Sequence, residues 1–224
     1  MNYDVIIVGA GPGGIYSAYE LMKKCSDKKI AVFDSGYSLK KRHCPIDGEK
    51  VKACIKCKSC SIMSGFGGAG AFSDGKYNIT NDFGGTLYEY IGKKAATELM
   101  QYVDDINMAH GGEGTKMYST AGTNLKKVCL QNRLKLLNAS VRHLGTDINL
   151  VVLGRLYDEL KEHVDFYFES PVSHIECLEN GGYRVWSNDQ SYDCGKCIVS
   201  VGRSGSKWME HICKELDIPT KSNR

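Results

Sequence analysis

Gly9-Ala10-Gly11-Pro12-Gly13-Gly14 follows a short β-branched run and opens an amphipathic stretch. The spacing fits G-x-G-x-x-G, whose chemistry is the holding of a diphosphate. Gly9 permits a tight turn out of a strand, Gly11 lets the backbone approach a pyrophosphate, and Gly14 lets a helix pack on the strand. From Pro12 and Gly13 onward a helix start would offer unpaired N–H groups and a positive dipole end. Asp34 closes the next β-branched run, where a carboxylate accepts hydrogen bonds from ribose hydroxyls and repels a 2′-phosphate, which disfavours NADP. Ser35 and Arg42 complete the contacts expected on that side. Strand before, helix after and acid at the end of the next strand together favour dinucleotide binding over a plain set of turns.

A second chemical pattern is Cys54-x-x-Cys57-x-x-Cys60, with Cys44 upstream. Two-residue gaps let thiolates converge on one ion or cluster. Lys40, Lys41, Arg42, Lys50, Lys52, Lys56 and Lys58 crowd the same stretch and would favour the thiolate form. The segment reads as a structural zinc site on Cys44, Cys54, Cys57 and Cys60, an iron–sulfur cluster, a redox dithiol or a free loop, and spacing alone does not separate them. Cys194 and Cys197, on a strand, and the four remaining cysteines read as packing thiols.

Between these patterns lies a glycine-rich loop holding Gly65, Gly67, Gly68, Gly70 and Gly75. A backbone so free of side chains can lie against a flat ring, and successive N–H groups can cradle an anion. Ser73 and Lys76 are the polar groups to aim at such a ring, with Gly67, Gly68, Ala69 and Gly70 as its bed. His110, His143 and Asp147 read as turn and capping residues before any acid–base role.

The elements that must position these groups follow from periodicity. Strand 4–8, helix 12–24 and strand 30–34 make a βαβ unit. Residues 40–62 form a long basic cysteine-bearing loop, of a length that points to function. Residues 86–109 and 124–137 read as helices of an insertion spanning 86–137, and 147–163 as a further helix. From 165 the pattern turns to short strands, with Gly181 and Gly182 as a hairpin turn, and then a strand-to-helix turn at "VGRSGSKW". The expectation is a single domain over 1–224 of α/β class: a Rossmann-like FAD/NAD(P)-binding fold with parallel sheet, β-meander and helical insertion.

Bulk properties bound the rest. A net charge of +3 gives no reason to expect nucleic acid as a partner, and the cysteine loop lacks the interleaved aromatics of a base-stacking surface. No segment reaches the ~20 apolar residues that span a bilayer, and no signal peptide is visible, so the cytoplasm is the expected compartment. Ten cysteines there are expected as thiols.

The N-terminal position of the motif and the later antiparallel strands favour FAD over NAD. The segment "KCIVSVGRSGSKW" resembles the second glycine turn of two-dinucleotide-binding flavoproteins, with Gly202 at its turn, and that likeness implies that Val172 lays its backbone against adenine. At finer grain, "GGAGAFSDGKYNIT", "FGGTLYEYIG" and "RHLGTDINLVVLGRLYDEL" resemble a family of largely uncharacterised FAD-dependent dehydrogenases of the NAD(P)/FAD-dependent oxidoreductase group. The likeness runs over nearly the whole chain. Members are about twice as long, and the late Gly-Asp pair of related flavoproteins does not occur here. The resemblance therefore implies the N-terminal, FAD-binding half of a flavin-dependent oxidoreductase. Its substrate and electron donor are unspecified, and a C-terminal partner chain is one way in which the missing half would be supplied. Two other classes compete: a zinc or iron–sulfur module, and a non-catalytic subunit.

Overall fold

The computed structural model describes residues 2–179 and 181–221. Its elements in chain order are β1 (Asn2–Val8), α1 (Pro12–Lys24), β2 (Ile30–Phe33), β3 (Lys76–Ile79), α2 (Tyr88–Ile91), α3 (Lys93–Asn107), β4 (Met117–Ser119), α4 (Leu125–Gln131), β5 (Ser140–His143), α5 (Gly145–Leu160), β6 (Val164–Tyr167), β7 (Val172–Cys177), β8 (Tyr183–Ser187), β9 (Gln190–Val199) and α6 (Ser206–Glu215). They fall into two compact units. The first takes the chain up to Ala71 together with the chain from Tyr157 onward, and the second is Phe72–Leu156.

The first unit holds a six-stranded sheet in the order β6-β2-β1-β9-β8-β7. Strands β6, β2, β1 and β9 run parallel, and β9, β8 and β7 continue as an antiparallel meander. This is the expected α/β Rossmann-like architecture. The strands read as unbroken apolar runs because both faces are covered. All four residues of β2 are buried, as are Val5 to Val8 of β1. On one face Ile6, Val8, Ala31 and Phe33 pack with Ile175, Val185 and Ile212. Helix α1 buries Gly14, Ile15, Ala18 and Met22, a stripe at helical spacing. Phe33 stacks on Tyr167 at 4.6 Å between centroids. The Tyr3 hydroxyl, at the start of β1, donates to Asp165 (2.8 Å) and is paired with the Tyr167 hydroxyl (2.7 Å).

The second unit holds a three-stranded antiparallel sheet, β3-β5-β4, that periodicity does not anticipate. Its strands are three or four residues long and only half covered, too short to show alternation. The helix expected over 86–109 is broken at Gly92 (φ 81°), which separates α2 from α3. Beyond α3, residues Met108–Gly112 form a π-type turn in which His110 and Gly111 leave helical geometry. The helix expected over 124–137 stops at Gln131. Arg133 adopts φ 59°, and the Leu134 amide turns back to the Cys129 carbonyl (2.8 Å). Arg142 ties the unit together: Nε and Nη2 grip both oxygens of buried Asp104 (3.0 and 2.7 Å), and Nη1 donates to the Thr115 carbonyl (2.6 Å). That bidentate pairing holds the guanidinium above its usual range. Among the described residues no helix is long and apolar enough to cross a membrane.

Candidate functional site

The site lies in the first unit, at the carboxyl ends of β1, β2 and β9, where open α/β sheets place their ligands. Strand β1 ends at Val8 and the chain turns at Gly9, whose φ of 105° suits glycine and whose amide donates to the Phe33 carbonyl (2.7 Å). A Cβ on Gly9 would meet the Ser200 carbonyl, and one on Gly14 would collide with the Gly9 carbonyl. Close strand-to-helix packing therefore requires glycine at both positions. Helix α1 starts with Pro12 in its first turn and Gly11 as an extended N-cap. No side chain caps it and its first turn holds no acid, so the positive dipole end keeps no carboxylate of its own.

Asp34 follows β2 and braces this cup. Its Oδ2 accepts from the Ala10 amide (2.8 Å), while Oδ1 accepts from Gly36 (2.7 Å) and Gly65 (2.9 Å). The Gly67 amide then donates back to the Ala10 carbonyl (2.8 Å), lacing the glycine-rich loop to the cup. Asp34 is thus an organiser of three loops, a role its place in the sequence does not reveal. Asp34 also lines the cleft, and Oδ2 retains acceptor capacity, since a carboxylate oxygen takes more than one donor.

The cleft has a volume of about 1240 Å³. Gly9, Gly11, Pro12, Gly13, Asp34 and Ser35 form its floor. Gly68, Ala69 and Gly70 supply one wall, with Gly68 so close to the cup that a Cβ would stand 3.1 Å from the Gly11 Cα. Val172 and Gly202, the latter at φ 62°, also line it. Other expected contacts stand behind the walls or elsewhere. Gly14 and Gly67 pack and brace as described above. Arg42 is 6% exposed and donates to the carbonyls of Ser61 (2.8 Å), Phe66 (2.6 Å) and Ile62 (2.8 Å). Burial draws its guanidinium below the usual arginine range, an effect the nearby Asp34 carboxylate opposes. Ser73 and Lys76 lie in the second unit, where Ser73 Oγ accepts from the Gly75 amide (3.3 Å) and exposed Lys76 pairs with Asp74 (2.6 Å).

Several lining residues are not singled out by sequence. Ser170 and Pro171 precede β7, and Ser200, Arg203 and Trp208 extend the second glycine turn into α6. The glycine at 202 was a signal for that turn, but which neighbours face the cleft depends on β9 lying beside β1. Lys58, Ser59 and Met63 bring the cysteine loop to the same cleft. Two buried polar atoms in these walls, Ser59 Oγ and Trp208 Nε1, have no hydrogen-bond partner. Such atoms are costly unless a ligand or solvent reaches them.

The cysteines behave differently. Cys54, Cys57 and Cys60 are exposed and Cys44 is half-buried. Among the described residues no group of three or more His, Cys, Asp or Glu side chains is placed to hold a metal ion. As they stand these thiols do not fit a zinc ion or an iron–sulfur cluster. Cys194 and Cys197 hydrogen-bond to each other, which lowers the first thiol and, together with burial, raises the second.

No protein-family model matches the chain, and no curated protein does. Among solved structures it is similar to glycine oxidase from Geobacillus kaustophilus, at 14% identity and a TM-score of 0.52, over 96% of this chain and 58% of that one. It is also similar to the open form of NikD, an unusual amino acid oxidase essential for nikkomycin biosynthesis, at 10% identity and a TM-score of 0.50, over 96% of this chain and 54% of that one. At such identities the likeness is one of fold. The chain spans little more than half the length of either structure.

Proposed function

We propose that the cleft binds FAD and that the chain is the FAD-binding portion of a flavin-dependent oxidoreductase, related to the uncharacterised dehydrogenases its glycine-rich segment resembles. The observation that carries this reading is the uncapped start of α1 opening on a cleft whose rim is braced by Asp34. An anionic diphosphate fits there because free helix amides and the dipole favour negative charge, and glycine leaves the backbone bare. The remaining acceptor capacity of Asp34, with Ser35 beside it, suits a ribose hydroxyl. The partnerless Ser59 and Trp208 atoms fit a polar ligand in the same walls.

Bound FAD would supply hydride chemistry at its isoalloxazine ring. The chain's own work is to grip the diphosphate at Gly11–Gly13, orient the sugar at Asp34 and bed the ligand against Gly68, Ala69 and Gly70. Val172 and Gly202 add to the lining. Arg203 and Lys58 are cations of the cleft lining and offset the diphosphate charge. Because the chain matches about half of each neighbour, we place the substrate side of the reaction on a further polypeptide segment or partner chain. Amino acids, the class named for those two neighbours, are the first substrates to try.

The test is cofactor extraction and reconstitution. The purified chain, alone or mixed with FAD, is expected to show flavin absorbance, to release FAD on denaturation, and to discriminate against FMN and NADP. A chain that stays colourless and leaves FAD fluorescence unchanged across a titration to high concentration overturns the reading.

A further inference from the structure

The chemistry left unused by the cup is Cys57-Lys58-Ser59-Cys60. Both thiols are exposed, yet the two residues between them line the cleft. On its C-terminal side the segment is fixed. Met63 and Ser64 donate to the Cys60 carbonyl (3.0 and 2.9 Å), and Arg42 grips the carbonyls of Ser61 and Ile62 just beyond. Arg42 also lies within electrostatic reach of Cys60. On the other side the chain runs without helix or strand, and Lys56 adopts φ 52°. One thiol thus rides on an anchored turn and the other on irregular backbone three residues before it. Residues 58 and 59 form a bend between them.

We propose that Cys57 and Cys60 form a thiol–disulfide exchange site in the wall of the cleft, taking low-molecular-mass disulfides of the glutathione class, and that closing it weakens dinucleotide binding. One protein thiolate attacks a sulfur of the external disulfide, forming a mixed disulfide and expelling one thiolate. The second protein thiolate attacks the protein sulfur of that mixed bond, forming Cys57–Cys60 and expelling the other. The two protons lost by the protein thiols end on the two released thiols. The protein dithiol is oxidised by two electrons and the external disulfide is reduced by two. A closed pair needs Cα atoms about 4.4–6.8 Å apart, so Lys58 and Ser59 must arch as a tight loop. Tightening that bend shifts two residues of the cleft lining. The exchange itself stands on the thiols alone, whereas the effect on affinity rests on the FAD reading.

The test uses the full chain, reduced and then incubated with oxidised glutathione, quenched by alkylation and mapped by peptide mass. The expected result is loss of two titratable thiols and a peptide carrying an internal Cys57–Cys60 bond. FAD titration of the same samples should show about a tenfold weaker dissociation constant after oxidation, a factor that corresponds to 1.4 kcal/mol. Dithiothreitol should restore it, while Cys57→Ser and Cys60→Ser hold the reduced value throughout. Scattered mixed disulfides, or a bond that maps to Cys54–Cys57, overturn the site. A correct bond with unchanged FAD affinity overturns the control of binding. A correct bond in a chain that binds no FAD in either state leaves the exchange site standing and removes the FAD reading.

Discussion

At the scale of single residues, Asp34 carries the most consequence. Its two oxygens collect amides from Ala10, Gly36 and Gly65, so it serves the backbone before it serves any ligand. Asp34→Asn replaces one acceptor with a donor facing N–H groups. The expected loss is about 2–4 kcal/mol in unfolding stability, since a buried amide left unpaired costs ~1–3 kcal/mol and charge-assisted bonds are the stronger ones. Urea unfolding of the unliganded variant checks this: a residue that served only a ribose would leave that stability unchanged. The acid's existence and position were legible, because it ends a β-branched run after a glycine motif. Its bonds were not, because Gly65 lies far along a loop with no period to read. Arg42 shows the same limit. Its type suggested an anion contact, while its neighbours in space, the carbonyls of 61, 62 and 66, made it a clamp.

Among elements, the βαβ unit lies close to its expected bounds: α1 at the same residues, β1 starting two residues earlier at Asn2 and β2 one residue shorter. Two local signals agree there, glycine chemistry and an apolar stripe, and local agreement is what sequence reports best. Gly14→Ala tests the packing that follows. A methyl group driven into the Gly9 carbonyl should cost about 1–3 kcal/mol and push α1 off β1. A lowered melting temperature together with lost FAD affinity is the expected pair of observations. The tyrosine cluster at β1 and β6 gives a pH prediction. Burial and bonds to Tyr167 and Asp165 raise the Tyr3 phenol above its ordinary value. The unfolded chain releases that proton near pH 10 while the folded chain keeps it. The stabilisation is complete below that pH and declines above it. Tyr3→Phe should flatten this alkaline decline, read as the slope of unfolding free energy between about pH 9 and 11. In the second unit β3, β4 and β5 escaped notice because each is short and finds its partner far along the chain.

For the whole molecule, the apolar residues divide unevenly between the two units. Those of the first unit are largely inside, whereas in the second Leu125, Val128, Leu130 and Leu134 each remain about half exposed or more. A surface of that kind binds apolar dyes and promotes association. Leu130→Glu combined with Leu134→Glu should lower anilinonaphthalene sulfonate fluorescence and reduce light scattering, with FAD affinity unaltered. Affinity that fell with the dye signal would tie this surface to the cleft.

The sheet also fixes when the cup can come into being during synthesis. Val5 pairs with Ile30 on one side but with Lys196 on the other, and Val8 with Val199, so the strand bearing the glycine turn waits for its second neighbour long after its first has emerged. Pairings this distant in sequence close late and slowly. A ribosome-bound nascent chain halted before β9 has been translated should therefore expose an apolar edge of β1 to chaperones and retain no dinucleotide. Adding β9 and the turn after it would complete the cup that the FAD reading requires.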